Sequence, residues 1–331
     1  MLDIIMPHYK EPWTDGEKFF SMLDLQRDVD FSKIHVILVQ DGEEGTLPTE
    51  HFANRPYTVE QITIPHGGVS AARNAGLKAA TAEWVMFCDF DDMFSTVYSL
   101  RDFLNVLPAP NYDVLWAEFY SEDKMQSGEM RLHSRGRNIV FIHSKLYRRQ
   151  FLLDNGLWFD TSLEFNEDSC FNAIANTIVD FKRTGKIKVA CPPYVWCYHA
   201  GSATADPTNN GKALLGLYNR NKLVCEAFKK RMPYDRYCAM VARTVWDTYH
   251  TLNVEQLSPE QQIIYEDFKG WYPARKNCMM FVDADTMAKV RAISESEHER
   301  GDLEAEARWG VDQTSGFRKN VSITEWLRQF D

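Results

Sequence analysis

The chain has 331 residues, of which 44% are apolar, 25% charged and 13% aromatic; this ordinary globular usage excludes disorder, collagen and coiled coil as readings of the whole chain. The length accommodates about two domains at roughly 100–200 residues each, and a chain this long folds without a disulfide or metal staple. Its 47 acidic and 37 basic residues give a formal net charge of −10, the wrong balance for a protein that neutralises phosphates, so nucleic acid is not an expected partner.

No apolar run approaches the ~20 residues of a membrane span. The start, MLDIIMPHYKEPW, turns polar too soon for a signal peptide. The seven cysteines (88, 170, 191, 197, 225, 238 and 278) form no CxxC, which suggests neither a disulfide framework nor a zinc knuckle. The expectation is a cytoplasmic protein with reduced, buried thiols.

In chain order, residues 2–6 are an apolar run that reads as a buried strand, and residues 15–26 carry Phe19, Phe20, Met22 and Leu23 at helical spacing. Residues 34–39 are β-branched and stop at Gln40-Asp41-Gly42, a turn. A strand at 59–64, an alanine-rich helix at 69–82 and a strand at 84–88 follow. This β-α-β-α-β order predicts an α/β fold: a mostly parallel sheet flanked by helices. Strands are expected at 114–119, 139–142, 187–190 and 194–198, and helices at 147–155 and 168–183. From residue 212 β character disappears; helices are predicted at 212–230, 234–252, 259–269, 284–293 and 323–330. The expected organisation is one α/β domain over 1–210 and a helical C-terminal region over 211–331. Its amphipathic helices need a partner surface, an expectation of acceptor choice or self-association into a homo-oligomer.

In open α/β sheets, ligands bind beyond the carboxyl ends of the strands. That places Pro7, Tyr9 and Glu11, then Asp41, then Asp89-Phe90-Asp91-Asp92 along one rim. Carboxylates so closely spaced at a strand end suit a hard divalent cation such as Mg²⁺ or Mn²⁺, which favours oxygen ligands and shares them with phosphates. An acidic turn is the plainer alternative. Residues 68–76, GVSAARNAG, open a helix: Gly67 and Gly68 permit close backbone approach and Ser70 is a candidate cap. Arg73 sits in the first turns, where the helix dipole does not favour a cation; an anionic ligand or a carboxylate, Asp41 or Asp89, explains it better.

Taken together, Pro7-His8-Tyr9, Gln40-Asp41-Gly42, Gly68 to Gly76 and Asp89 to Asp92 resemble family-2 glycosyltransferases of the GT-A (nucleotide-diphospho-sugar transferase) fold. Gln40 stands where the family commonly has Asp, and Lys10 where it commonly has Asn. The resemblance continues through His143-Ser144-Lys145-Leu146-Tyr147-Arg148-Arg149, the Glu-Asp element Glu167-Asp168, and a loop from Tyr198-His199 to Ser202-Ala203-Thr204. It covers residues 1–210.

The resemblance implies a nucleotide-diphosphate-sugar donor, UDP being the commonest nucleotide, and a glycan, polymer or protein acceptor. It implies that Asp41 accepts from the base, that Tyr9 packs on the base and that Arg73 lies near base or phosphates. Asp91 would be the main ligand of Mn²⁺ or Mg²⁺, with Asp92 beside it and His199 reaching the metal or a phosphate, while Asp89 and Phe90, with Pro7 and Glu11, would bind the nucleotide sugar. It also implies that Asp168, next to Glu167, is the base of an inverting transfer. A helix N-terminus is expected to keep that carboxyl ionised. Inverting transfer needs a general base and a stabilised leaving group, with no covalent nucleophile.

Other residues carry two readings. His8 suits either the pocket or a hydrogen-bonded structural role. Trp116, Glu118 and Tyr120 suit core packing or the acceptor; Arg131, Arg135 and Arg137 suit a solvated loop or a phosphate-bearing acceptor; Tyr237, Trp246 and Tyr249 suit the helical core. A dinucleotide oxidoreductase needs GxGxxG after the first strand, where this chain has PHYKEP. A nucleotidyltransferase would be expected to carry a glycine-rich loop there. A non-catalytic binding module on a transferase scaffold is opposed by the joint presence of Asp41, Arg73, the Asp89 cluster and Glu167-Asp168.

Overall fold

The computed structural model describes residues 1–107, 112–125, 127–135, 140–182, 185–190, 193–199, 206–309 and 321–330. It divides into two compact units, Met1–Asp123 with Arg131–His199, and Lys124–Met130 with Ala200–Asp331.

The first unit alternates β1 (Leu2–His8), α1 (Trp13–Asp24), β2 (Ile34–Asp41), β3 (Thr58–Ile64), α2 (Gly68–Ala79) and β4 (Trp84–Phe87). There follow β5 (Met93–Phe94), α3 (Ser99–Leu104), β6 (Val114–Ala117), β7 (Phe119–Lys124), β8 (Met130–Arg135), β9 (Lys145–Arg148), α4 (Arg149–Asp154), α5 (Glu167–Lys182), β10 (Lys186–Val189) and β11 (Tyr194–Trp196). A seven-stranded sheet runs β10-β6-β9-β4-β1-β2-β3; β9 is antiparallel to both its neighbours and every other pair is parallel. A smaller sheet runs β5-β11-β7-β8.

Strand periodicity of two sends alternate side chains to opposite faces. Leu2, Ile4, Met6, Trp84 and Met86 pack with Phe19, Phe20 and Leu23 of α1. On the other face, Gly76 of α2 approaches so closely that a Cβ would lie 2.4 Å from Cγ2 of Ile5, and Phe87 meets Phe159 and Phe171 edge-on. With both faces covered, residues 4–7 of β1, 36–39 of β2 and 84–87 of β4 read as unbroken apolar runs.

Three expectations change. Residues 147 and 148, expected in a helix, belong to β9, because Tyr147 and Leu146 pair with β4 and β6; only Arg149–Asp154 is helical. Residues 140–142 form no strand, and position 139 lies outside the described residues. Arg131 and Arg135, expected in a loop, lie on β8, and Arg135 is paired with Asp123 at 3.1 Å. Arg137, Cys191 and residues 200–204 also lie outside the described residues.

The second unit holds α6 (Asn210–Arg231), α7 (Tyr234–Leu252), α8 (Pro259–Trp271), α9 (Cys278–Phe281), α10 (Ala284–Trp309) and α11 (Ile323–Leu327). Its core gathers Tyr218, Tyr237, Val241, Val245, Phe268 and Trp271 with Trp326 and Phe330. Ser258 and Gln261 form a reciprocal cap at the start of α8. Asp247 is buried but satisfied by Asn221, Arg243 and Ser294, as a buried charge must be. No helix among the described residues is long and apolar enough to cross a membrane.

Candidate active site

β1, β2 and β4 end side by side. At the end of β2, buried Asp41 accepts from the backbone N–H of Gly67 (2.7 Å) and Gly68 (2.8 Å) and from His66 Nδ1 (2.9 Å). These N–H groups begin α2, so Asp41 supplies the anion that a helix N-terminus favours. Ser70, the expected cap, is instead buried within the helix with its hydroxyl unpartnered. Asp41 keeps acceptor capacity beyond these bonds, because a carboxylate has about four lone-pair sites. Gly68 has φ +83°, a left-handed conformation that favours glycine.

Beside Asp41 lies a cavity of about 640 Å³ lined by Tyr9, Lys10, Gly42, Glu43, Thr63 and His66 among others. The Tyr9 and His66 rings stack at 4.3 Å. Glu11 accepts from the backbone N–H of Tyr9 at 2.6 Å, and its carbonyl lies 2.8 Å from His8 Nε2. His8 is buried, with Nδ1 2.6 Å from the Gln40 side-chain amide: the structural reading holds for this ring. Pro7 lies inside β1, half-buried.

At the end of β4 the four residues part ways. Asp89 receives Arg73 Nη2 at 2.8 Å, and the other Arg73 nitrogen, Nη1, donates to Glu167 at 2.8 Å. One buried guanidinium thus ties the Asp89 cluster to the start of α5, a fixed fork that only arginine offers. Burial raises the Asp89 carboxyl, but Arg73 and His143 outweigh it and hold it below its ordinary value. Burial lowers Arg73, yet Asp89 and Glu167 keep the guanidinium above its ordinary value.

Phe90, expected at the rim, turns its ring into the core against His8 and Phe20. Gly16 of α1 leaves it room, since a Cβ there would lie 2.2 Å from the ring. Asp92, expected at the metal, is fully buried and accepts from the Tyr194 hydroxyl (2.6 Å) and the Cys197 backbone N–H (2.8 Å); it anchors β11. Burial and the neighbouring Asp89 and Asp91 push its carboxyl well up. Asp91 keeps about a third of its side chain exposed, with Oδ2 3.6 Å from His199 Nε2. That ring nitrogen also lies 3.0 Å from the Asp91 carbonyl and 3.1 Å from Lys18 Nζ. Burial, then Asp89, raises the Asp91 carboxyl to about 6.

Asp168 is the second residue of α5, and its Oδ1 accepts from the Ser169 N–H at 2.6 Å. Burial, then the charge of Glu167, raises it to about 7. The expectation that the helix N-terminus keeps this carboxyl low is therefore overturned: desolvation and a like charge outweigh the dipole. The Asn172 side chain donates to the carbonyls of Asp168 (2.9 Å) and Val140 (2.7 Å) and accepts from the Tyr147 hydroxyl (2.5 Å), which fixes this first turn.

Sequence reasoning gave no role to His66, Lys18, His143 or Tyr194. His143 is buried, 3.7 Å from Asp92 and 4.0 Å from Asp89, and stacks on Tyr194 at 5.2 Å; burial lowers it to about 4. Asp89, Asp92 and His143 bring ligand atoms within 4.8 Å of one another. The signals were local: His66 precedes Gly67-Gly68, and His143 opens the HSKLYRR stretch. Trp116 and Glu118 meet Lys188, while Tyr237 and Trp246 are buried in the helical unit.

Comparison with known proteins defines the class. The fold is GT-A: the solved structure of Staphylococcus aureus TarS residues 1–349 in complex with UDP-GlcNAc superposes with TM-score 0.63 at 17% identity, over 91% of this chain and 92% of that one. A crystal structure of the longer S. aureus TarS gives TM-score 0.61 at 17% identity, over 92% and 53%. Residues 3–165 match the sequence model of glycosyl transferase family 2. The chain is similar to the uncharacterized glycosyltransferase EpsJ of Bacillus subtilis strain 168 (28% identity over 212 residues, 57% of this chain and 58% of EpsJ). It is also similar to poly(ribitol-phosphate) beta-N-acetylglucosaminyltransferase TarS of S. aureus strain Mu50 (26% over 183 residues, 51% and 31%). The matched stretch spans less than two thirds of either relative's length.

Proposed function

We propose that this protein transfers a sugar from a UDP-sugar to an acceptor hydroxyl with inversion at the anomeric carbon, Asp168 serving as general base. The observation that carries this reading is the Arg73 bridge, which draws the Asp89 cluster and Glu167-Asp168 into one site beyond the strand ends. The nucleobase lies in the cavity beside Asp41, against Tyr9 and His66. A UDP-N-acetylhexosamine is the first donor to test, since a fold relative was solved with UDP-GlcNAc. The acceptor is a glycan, polymer or protein hydroxyl.

The donor set fits Mn²⁺ or Mg²⁺. Three carboxylates crowd within four residues; Asp89 is neutralised by Arg73 and Asp92 is held by β11, which leaves Asp91 with His199 facing outward. Burial, then the charge of Asp89, raises the Asp91 carboxyl, and a hard cation bound there would favour its anion. Bound there, the cation would withdraw charge from the leaving diphosphate.

Asp168 takes the proton of the acceptor O–H as the oxygen forms its bond to the anomeric carbon, and UDP departs with the electrons of the broken bond. A carboxyl that titrates near 7 is well matched to this task, since a base works best with its pKa near the operating pH. Glu167, held by Arg73, positions the turn. A screen of donor hydrolysis across nucleotide sugars with Mn²⁺ tests the donor class; nucleotide binding with neither hydrolysis nor transfer would mark a binding module instead. Asp168→Asn should leave UDP affinity near wild type and cut transfer about 10²–10⁴-fold. Transfer within a few-fold of wild type, or a product of retained configuration, would refute the assignment.

A further inference from the structure

In the helical unit, the turn between α6 and α7 lies next to α9. The rings of Tyr234 and Phe281 meet edge-on at 5.2 Å, and the Tyr234 hydroxyl is 3.9 Å from Cys278 Sγ. Three large apolar side chains stand out here: Met280 is 77% exposed, Phe281 62% and Tyr234 53%. A cluster of this kind rimmed by polar residues marks an interaction site more often than an isolated exposed side chain does.

The chain segments that flank these side chains in sequence are cationic. Lys229, Lys230 and Arg231 close α6, Arg236 lies in the first turns of α7, and Arg275 and Lys276 precede α9. All but the half-buried Arg275 are exposed. Arg275 is engaged by Glu226 at 2.8 Å. The acidic residues of the same stretches are Asp235, Asp283 and Asp285, and Asp283 is occupied by the N–H and hydroxyl of Thr286, each at 2.8 Å. With Glu226 counted, six cations stand beside four carboxylates in these stretches, in a chain whose formal net charge is −10.

We propose that this face is a docking surface for an anionic phospholipid bilayer, with Met280, Phe281 and Tyr234 entering the headgroup–acyl boundary and the lysines and arginines resting on the lipid phosphates. Two features select a bilayer. A soluble polyanion needs the cations but gives the exposed methionine and phenylalanine nothing to bury against. A second copy of this chain would bring its own cations onto these, a like-charge contact that opposes pairing. Apolar insertion combined with basic contacts is the chemistry by which a protein lies on a membrane without spanning it. The inference is independent of the transferase reading.

The test is sedimentation of the full chain with vesicles of phosphatidylcholine alone and of phosphatidylcholine with 30 mol% phosphatidylglycerol, at low and high salt. The chain should pellet with the anionic vesicles at low salt and be released by salt. K229E/K230E should weaken partitioning roughly 600-fold, at about five-fold per charge removed and again per charge reversed. M280S/F281S should also weaken it at least ten-fold, with the circular dichroism spectrum and donor hydrolysis of both variants at wild-type level. No binding to anionic vesicles at low salt would overturn the proposal. So would binding that M280S/F281S leaves intact, which would mark plain electrostatic adsorption, or self-association in sedimentation velocity that F281S dissolves without any lipid binding.

Discussion

The carboxyl of Asp168 feels two opposing influences. The N-terminus of α5 favours its anion, while burial and Glu167 favour its acid, and the latter win by a margin that raises it to about 7. Two outcomes follow. Transfer should rise with pH through about 7 and then level off, because only the ionised form accepts the acceptor's proton; a flat profile from pH 5 to 8 would contradict the role. The stability consequence has the opposite sign. Between its ordinary value of 3.8 and about 7 the fold holds a proton that the unfolded chain releases, so stability falls as pH rises across that window. Asp168→Asn escapes this loss and should become more stable than wild type as pH goes from 4 to 7.5, by up to about 4 kcal/mol at 1.36 kcal/mol per unit, read from denaturant melts at both pH values. At Asp91 the expectation concerns the cation: Asp91→Asn should lose the Mn²⁺ stimulation of donor hydrolysis while its melting curve stays near wild type. Full activity of that variant in EDTA would remove Asp91 from the metal site.

At the scale of elements, α2 is held at both ends by the strands beneath it. Asp41 binds its first N–H groups, and Asp3 accepts from the N–H groups of Thr81 and Ala82, just after its last turn, at 2.6 and 2.7 Å. Between them Gly76 lets the helix lie on Ile5 and Val39. Alanine at this position brings up to about 1 kcal/mol of helix propensity, but its Cβ would sit 2.4 Å from one β-branched core side chain and 3.3 Å from another. Overpacking of that kind costs about 1–3 kcal/mol. Gly76→Ala should therefore lower the melting temperature by several degrees; an unchanged or raised value would mean that the helix lifts freely from the sheet. The same helix carries Arg73, so donor hydrolysis should weaken with the displacement.

At the scale of the whole molecule, each unit has a core of its own. The main apolar cluster of the first unit runs from Leu2 to Tyr194, and that of the second from Tyr218 to Phe330. A chain truncated after residue 211 should fold, bind UDP and hydrolyse donor within a few-fold of the full chain. It should lose transfer to the natural acceptor, or self-association, whichever the helical unit serves. Equal transfer by the truncated and full chains would leave the helices without the proposed part in the reaction.

The sequence determined the α/β order, the strand-end rim and the helical second part, because each is written in short-range signals: apolar runs, period, and turn residues directly after strands. Tyr234–Leu252 emerged with the bounds its pattern predicts, and Arg73 is paired with Asp89, one of the two carboxylates named for it. Only the tertiary structure decided what depends on neighbours distant in sequence. Residues 145–148 become a strand because β4 and β6 offer an open edge on each side. Phe90 turns inward because Gly16, 74 positions earlier in the sequence, leaves a hole of its size. Asp92 is spent on β11, and His143 enters the carboxylate cluster from a loop between strands of two sheets. The protonation of Asp168 belongs to the same group, since a pKa is set by the burial and charge that folding gathers around a carboxyl, and neither is visible in the order of the residues.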